Sequence, residues 1–170
     1  MKHYLLLFLA ISSTFWPAAQ EAKISNAKIT FEFPSKNVKG TIEGFESTSK
    51  IDWESPANSV FEGSVESETL DTNNGLRNWS LRSSRYFAVK DHPKISFVSK
   101  EVRKSGTTWL VSGDLTLKGI TKSFRIDFEQ AGQKLKGKGA LYSSDFDINI
   151  KKEREDNLVN VYFELELYDQ

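Results

Sequence analysis

Near the C-terminus the chain reads Val159-Asn160-Val161-Tyr162-Phe163-Glu164-Leu165-Glu166-Leu167. Apolar side chains occupy every second position of this stretch. Because successive side chains of an extended strand point to opposite faces, a period of two predicts a strand with one buried face. A helix would instead place its apolar residues three or four positions apart. This stretch is therefore the clearest strand signal in the sequence.

Seven further segments show the same alternation and bring the predicted number of strands to eight. They lie around residues 29–33, 38–44, 61–66, 94–98, 109–117, 123–128 and 133–142. The turn-forming runs Lys104-Ser105-Gly106 and Lys118-Gly119 indicate tight connections between neighbouring strands. Short turns predict an all-β antiparallel sandwich or barrel. We favour the barrel because a closed sheet has no unpaired edge strands, and the chain has no cysteine that could hold an open sheet together by a disulfide.

Residues 73–89 break the alternation. Leu76, Trp79 and Ser83 fall on one face of a helix, and Asn73 or Asn74 is a suitable N-terminal cap. We predict one short helix or ordered crossing segment here.

Glycines interrupt the inward-facing positions of several predicted strands. Two interpretations stay open: glycine permits the bulges and bends of a barrel, or it leaves room for a ligand near the backbone. The positions concerned are Gly40, Gly44, Gly63, Gly113, Gly137 and Gly139.

Composition limits the class of protein. A chain of 170 residues with 38% hydrophobic residues fits one domain with a packed core. The 23 basic and 23 acidic residues cancel, and no long basic run occurs, so we expect no nucleic-acid partner. The absence of cysteine excludes disulfides, thiol catalysis and thiolate metal sites.

The N-terminus has the order of a secretory signal peptide. Lys2 and His3 precede an apolar run at residues 4–11, and Ala18-Ala19 supplies small residues at the end. The run is about half the roughly 20 residues that a membrane-spanning helix needs. We therefore predict a signal peptide at residues 1–20, cleaved after Ala19 or Gln20, and one domain at residues 21–170.

The inventory of catalytic residues is small. His92 would be the one histidine of the mature chain, and Pro93 directly after it favours an extended turn, so neither a catalytic triad nor a zinc site of the usual kind is expected. Residues 145–149 lack the glycine and distal glutamate of a calcium-binding EF-hand loop. No phosphate-binding loop is present. The sequence thus favours a binding protein without catalytic residues, metal or cofactor over an enzyme.

Four segments, in order and spacing, resemble the YceI-like family, and the similarity extends over essentially the whole mature chain. They are residues 38–45, 70–89, 92–99 and 111–122, of which the second contains the run Asp71-Thr72-Asn73-Asn74 and the last contains Gly113-Asp114-Leu115-Thr116-Leu117. The resemblance implies an extended, lipocalin-like, eight-stranded antiparallel barrel exported to the periplasm, with a long amphiphile such as a polyisoprenoid or an isoprenoid quinone inside.

The chain departs from the family pattern at four positions. The family usually has an aspartate and a histidine where this sequence has Asn78 and Ser80. It tends to an arginine and a glycine where Ser143 and Asp147 stand. Polar contacts made by these positions in relatives therefore do not carry over to this chain.

Inward-facing residues are the candidate wall of a lipid-binding lumen, and the alternative is that they fill a solid core. Arg77, Arg82 and Arg85 are candidates to meet a polar head group or a membrane phosphate, or to form ordinary surface ion pairs. Transient membrane contact and a homodimer are both compatible with the sequence. The candidate ligand-binding residues are Phe31, Phe33, Phe97, Val111, Leu115, Phe124, Phe163, Leu165 and Arg77.

Overall fold

The computed structural model describes residues 21–169, and the predicted signal peptide at residues 1–20 lies outside the described residues. Ten strands and one helix follow one another along this part of the chain. They are β1 (Glu21–Phe33), β2 (Val38–Ile42), β3 (Glu46–Ser47), β4 (Ile51–Asp52), β5 (Glu62–Glu66), α1 (Gly75–Arg82), β6 (Lys94–Ser105), β7 (Thr108–Leu117), β8 (Ile120–Ala131), β9 (Lys134–Tyr142) and β10 (Leu158–Asp169).

The strands form one curled antiparallel sheet. Its order is β2-β1-β10-β9-β8-β7-β6-β5-β3, and β4 pairs with the first residues of β1. The two ends of the sheet meet through backbone hydrogen bonds. The amide of Thr41 donates to the carbonyl of Asp71 at 2.9 Å, the amide of Asp71 donates back at 3.0 Å, and the amide of Glu66 donates to the carbonyl of Glu43 at 3.0 Å. The all-β barrel-like fold predicted from the sequence is confirmed.

The predicted strand number of eight is wrong. The eight predicted strands correspond to β1, β2 and β5 to β10, and the two additional strands, β3 and β4, contain two residues each. Two residues are too few to show any periodicity, so the pairing of these segments depends on tertiary contacts alone.

The predicted turns are confirmed. Lys118 and Gly119 connect β7 to β8 with φ angles of 51° and 74°, the left-handed pair of a type I′ hairpin turn. α1 is also at the predicted place. Its N-terminal cap is Asn74, whose side chain accepts a hydrogen bond from the amide of Arg77 at 2.9 Å.

One end of the barrel is a solid core. Trp109 is fully buried there, with the rings of Trp53 and Phe61 packed edge-on at centroid distances of 5.8 and 6.2 Å. Phe61 also stacks on Phe128 at 5.6 Å. Phe61 and Phe128 face the interior space on their other side, so they form the floor that separates the solid end from the hollow one.

Candidate functional site

The hollow end of the barrel contains a cavity of about 510 Å³. Its wall is mostly aliphatic and aromatic, because the strands turn their apolar faces inward with the alternation seen in the sequence. Strand residues on the wall include Ile29, Phe31, Phe33, Val38, Ile42, Val65, Ile95, Phe97, Leu115, Leu117, Phe124, Ile126, Leu141, Val159, Val161, Phe163 and Leu165. This volume is within the range typical of small-molecule sites, about 300 to 1,000 Å³.

Eight of the nine predicted residues lie on this wall, and the structure brings them together around one space. Phe97 and Phe124 pack edge-on at a centroid distance of 6.2 Å, and Phe163 is 6.0 Å from Phe128 of the floor. Whether these side chains contact a ligand remains a prediction. The eight residues are Phe31, Phe33, Phe97, Leu115, Phe124, Phe163, Leu165 and Arg77.

Val111 is the exception, and its placement on the wall is a correction. Its side chain is fully buried in the solid core, where β7 pairs it with Val102 on β6 and Ile126 on β8. Alternation in a strand assigns a residue to the inner face but does not say how deep along the barrel it lies. Val111 therefore fits the solid-core alternative, whereas its neighbour Leu115 lies on the cavity wall.

Several of the inward-facing glycines make room for aromatic rings of the protein itself. A Cβ atom at Gly139 would overlap the ring of Phe124, and one at Gly40 would overlap the ring of Phe31. Gly113 instead makes room for the backbone of β6 at the bulge between Ser99 and Glu101. The bulge interpretation holds at Gly113, and at Gly40 and Gly139 the space is filled by the protein's own aromatic side chains.

The crossing segment forms one side of the cavity. Ser80 and Leu81 of α1 line the wall, as do Tyr86 and Phe87 just after the helix. Strand alternation does not predict these wall residues, because a helix has no period-two signal. Val159 and Val161 also lie on the wall and are not among the nine candidate residues, although the alternation that points to Phe163 extends to them.

Asn78 anchors α1 to the sheet closure. Its carbonyl oxygen accepts hydrogen bonds from the amide and the hydroxyl of Thr72 at 2.9 and 2.7 Å, and its amide group donates to a carboxylate oxygen of Asp71 at 2.7 Å. The hydrogen bond from Asn78, and after it the one from the backbone amide of Asn73, hold the pKa of the Asp71 carboxyl below its usual value. The departure from the family pattern at position 78 thus has a structural role in this chain.

A second segment closes the cavity through Ile148 and Ile150, which both lie on its wall. Asn157 fixes this segment from a fully buried position. Its side-chain oxygen accepts from the amides of Ile150 and Lys151 at 3.0 and 2.9 Å, and its amide group donates to the carbonyls of Lys151 and Glu153 at 3.0 and 2.7 Å. No sequence motif indicates this anchor.

Two of the other departures, Ser143 and Asp147, also have local partners. The hydroxyl of Ser143, which lies on the cavity wall, donates to the carbonyl of Ile148 at 2.8 Å. The carboxylate of Asp147 accepts from the ammonium of Lys118 at 3.0 Å. Both contacts stabilise the segment that carries Ile148.

Two cations border the apolar wall. Lys36, in the turn after β1, and Arg77 of α1 are both exposed and both line the cavity. In the part of the chain that the structure describes, neither side chain has a hydrogen-bond or ion-pair partner. Arg82 donates to the carbonyl of Leu70 at 3.3 Å, and the guanidinium of Arg85 lies 5.4 Å from the ring centroid of Tyr86. The long apolar wall of the cavity is therefore bordered by two positive charges, those of Lys36 and Arg77, that no described residue pairs with.

The described residues offer little for metal or acid–base chemistry at this site. Residues 21–169 contain no cluster of three or more histidine, cysteine, aspartate or glutamate side chains placed to hold a metal ion. Within the same range, Glu62 is the one carboxylate residue on the cavity lining, and histidine is absent from it. None of the helices in the described residues has the length and hydropathy required to span a bilayer.

Comparison with known proteins gives one consistent family. A profile of the YceI-like domain matches residues 19–167. A UPF0312 protein of Photorhabdus laumondii is 32% identical over 136 residues, which cover 72% of this chain and 71% of the relative. Two other curated relatives match over 49% and 60% of their own lengths.

Two solved structures show the same fold. BcnA of Burkholderia cenocepacia has a TM-score of 0.68 at 20% identity, covering 84% of this chain and 96% of BcnA. A polyisoprenoid binding domain from Saccharophagus degradans has a TM-score of 0.60 at 12% identity, covering 89% of this chain and 99% of that domain.

Proposed function

Because the chain belongs to the YceI-like family, we propose that it is an exported, non-catalytic protein that holds one long-chain isoprenoid lipid in its barrel cavity. The observation that carries the proposal is the continuous apolar wall of the 510 Å³ cavity, bordered by the cations Lys36 and Arg77, which have no partner among residues 21–169. The polyisoprenoid binding domain of similar fold supports the choice of ligand class.

The energetics favour a long tail. Burying a methylene group contributes about 0.8 kcal/mol, while association costs on the order of 4 to 15 kcal/mol in lost freedom. A tail of roughly 15 to 20 carbons is therefore needed for firm binding. A polyisoprenoid and the side chain of an isoprenoid quinone both meet this requirement, and the proposal includes both.

The cations favour a head group that is anionic or rich in acceptor atoms. An arginine guanidinium presents planar pairs of donors that match phosphate and carboxylate oxygens. Arg77 is placed to make such a contact because it belongs to both the cavity lining and the exposed surface. The tail would then lie against Phe97, Phe124 and Phe163.

Native mass spectrometry of the gently purified protein tests this function. We expect one retained hydrophobic ligand of defined mass. An empty protein that takes up no prenyl chain after delipidation would point to a ligand-free module. Chemical change of the bound lipid over time would point to an enzyme. Fractionation of cells that express the full chain tests the proposed periplasmic or secreted location.

A further inference from the structure

α1 presents two large apolar side chains to solvent. Leu76 is 79% exposed and Trp79 is 72% exposed, while the other exposed large hydrophobic residues of the described chain lie between 38 and 43%. Residues three apart on a helix share a face, so the two side chains form one continuous apolar patch. Within residues 21–169, the rest of the chain leaves this patch open.

The sequence around the patch is positively charged. Residues 72–90 contain Arg77, Arg82, Arg85 and Lys90 and no acidic residue, although Asp71 and Asp91 flank the segment. Arg82 donates to the carbonyl of Leu70 and also interacts electrostatically with the carboxylate of Asp71, whereas the guanidinium of Arg85 packs against the ring of Tyr86. Exposed apolar side chains in a segment with an excess of positive charge are complementary to an anionic lipid surface.

The same short segment also reaches into the cavity. Arg77, Ser80 and Leu81 of α1 line the wall while Leu76 and Trp79 point to solvent. A surface that binds Leu76 and Trp79 would therefore lie directly against one side of the ligand cavity. Tryptophan suits such a surface because its indole has an apolar body and a polar N–H, and it is enriched where membranes meet water.

We propose that Leu76 and Trp79 dock the protein onto an anionic phospholipid bilayer, with Arg82 and Arg85 contacting lipid phosphates. This inference rests on the proposed function, since it places the cavity where a lipid would enter from the bilayer. In this arrangement Leu76 and Trp79 anchor the protein to the membrane, and other residues, on the cavity wall, hold the bound isoprenoid lipid.

Vesicle co-sedimentation tests the docking. The purified protein is mixed with vesicles of phosphatidylcholine containing phosphatidylglycerol, or of phosphatidylcholine alone. We expect binding to the anionic vesicles that weakens with salt, and a loss of about tenfold or more in Leu76→Ser/Trp79→Ser. Tyr168→Ser is the matched control, because Tyr168 is an exposed aromatic residue on β10, at 43%, and this variant should bind as the unsubstituted protein does.

A second measurement separates docking from ligand binding. Uptake of a prenyl alcohol delivered in detergent should be unchanged in Leu76→Ser/Trp79→Ser. Failure of both proteins to take up the lipid would count against the proposed function, whereas equal vesicle binding by both would overturn the docking. A third outcome is that the unsubstituted protein is a dimer, that Leu76→Ser/Trp79→Ser is a monomer, and that neither protein binds vesicles. This result would assign the patch to a second copy of the chain and overturn the proposal.

Discussion

Phe128 of β8 lies directly opposite Gly137 of β9, and its ring occupies the space that a Cβ atom at position 137 would need. On the other side of β9, Phe163 of β10 is paired with the same glycine. The two rings approach to 6.0 Å between centroids. A single glycine on β9 thus lets two aromatic side chains from the strands on either side of it meet at the floor of the cavity.

Gly137→Ala is expected to destabilise the protein because the added methyl group overlaps the ring of Phe128, which must shift from its packing against Phe61 and Phe163. Overpacking of this kind costs about 1 to 3 kcal/mol. Chemical denaturation measures the change. Gly75→Ala is the control, since no atom lies near a Cβ at that helical position, and it should leave stability equal or slightly higher. Equal stability of Gly137→Ala and Gly75→Ala would contradict this packing.

Phe97→Lys is expected to abolish uptake of a prenyl chain, because it places a charged group on the apolar wall. The next residue, Val98, lies on the outer face of the same strand and is 42% exposed. Val98→Lys is therefore a matched control with the same change of charge. Its neighbours on the two adjacent strands, Glu62 and Asp114, are acidic, so the added ammonium group meets opposite charge. Circular dichroism checks that both variants fold. Undiminished uptake by a folded Phe97→Lys protein would remove Phe97 from the ligand site.

Asn157→Ala is expected to lower the free energy of unfolding by about 2 to 5 kcal/mol, because it leaves two backbone amides and two carbonyls without partners. Ligand affinity should fall as well, since Ile148 and Ile150 lose their anchor. Asn149→Ala is the control: the side chain of Asn149 is exposed and makes one long contact of 3.4 Å with Asp147. A loss confined to stability, with affinity unchanged, would mean that this segment does not shape the cavity.

Asp145 and Arg154 give the protein a pH-dependent contribution to stability. Arg154 donates two hydrogen bonds to the carboxylate, at 2.9 and 2.7 Å, and these lower the pKa of Asp145 below its usual 3.8. Because the pKa is lower in the folded state, the contribution is present above pH 3.8 and is lost as the pH falls through the folded value.

The stability difference between the unsubstituted protein and Asp145→Asn should therefore be constant at neutral pH and shrink in acid. Urea denaturation at a series of pH values measures it, and Arg154→Met should remove the same pH dependence. A difference that grows as the pH falls would reverse the sign and refute the assignment.

The sequence predicts the strand faces well, because alternation is a direct consequence of strand geometry. Phe31 and Leu165 could be assigned to the inside on this ground alone. The cap at Asn74 follows from equally local chemistry. Local signals of this kind account for eight strands, the hairpin turns and the helix.

Properties that depend on distant contacts could not be predicted. Val111 and Leu115 belong to the same inward face of β7, yet one is in the solid core and the other on the cavity wall. The depth of the floor is set by Phe61 and Phe128, whose stacking brings together two segments that are far apart in the sequence. Ile148 and Ile150 lie on the cavity wall because Asn157 holds their segment in place by hydrogen bonds. No periodicity in the sequence predicts these hydrogen bonds.

The central claim is that the barrel encloses a space for one long apolar tail. Titration of the delipidated protein with prenyl alcohols of increasing length tests it most directly. We expect negligible affinity for the shortest chains and a steep rise in affinity up to roughly 15 to 20 carbons, at about 0.8 kcal/mol per buried methylene. Beyond that length the cavity is full, so the affinity should stop rising. The stoichiometry should be one ligand per protein. Affinity that is absent at every length, or that does not change with length, would contradict the account.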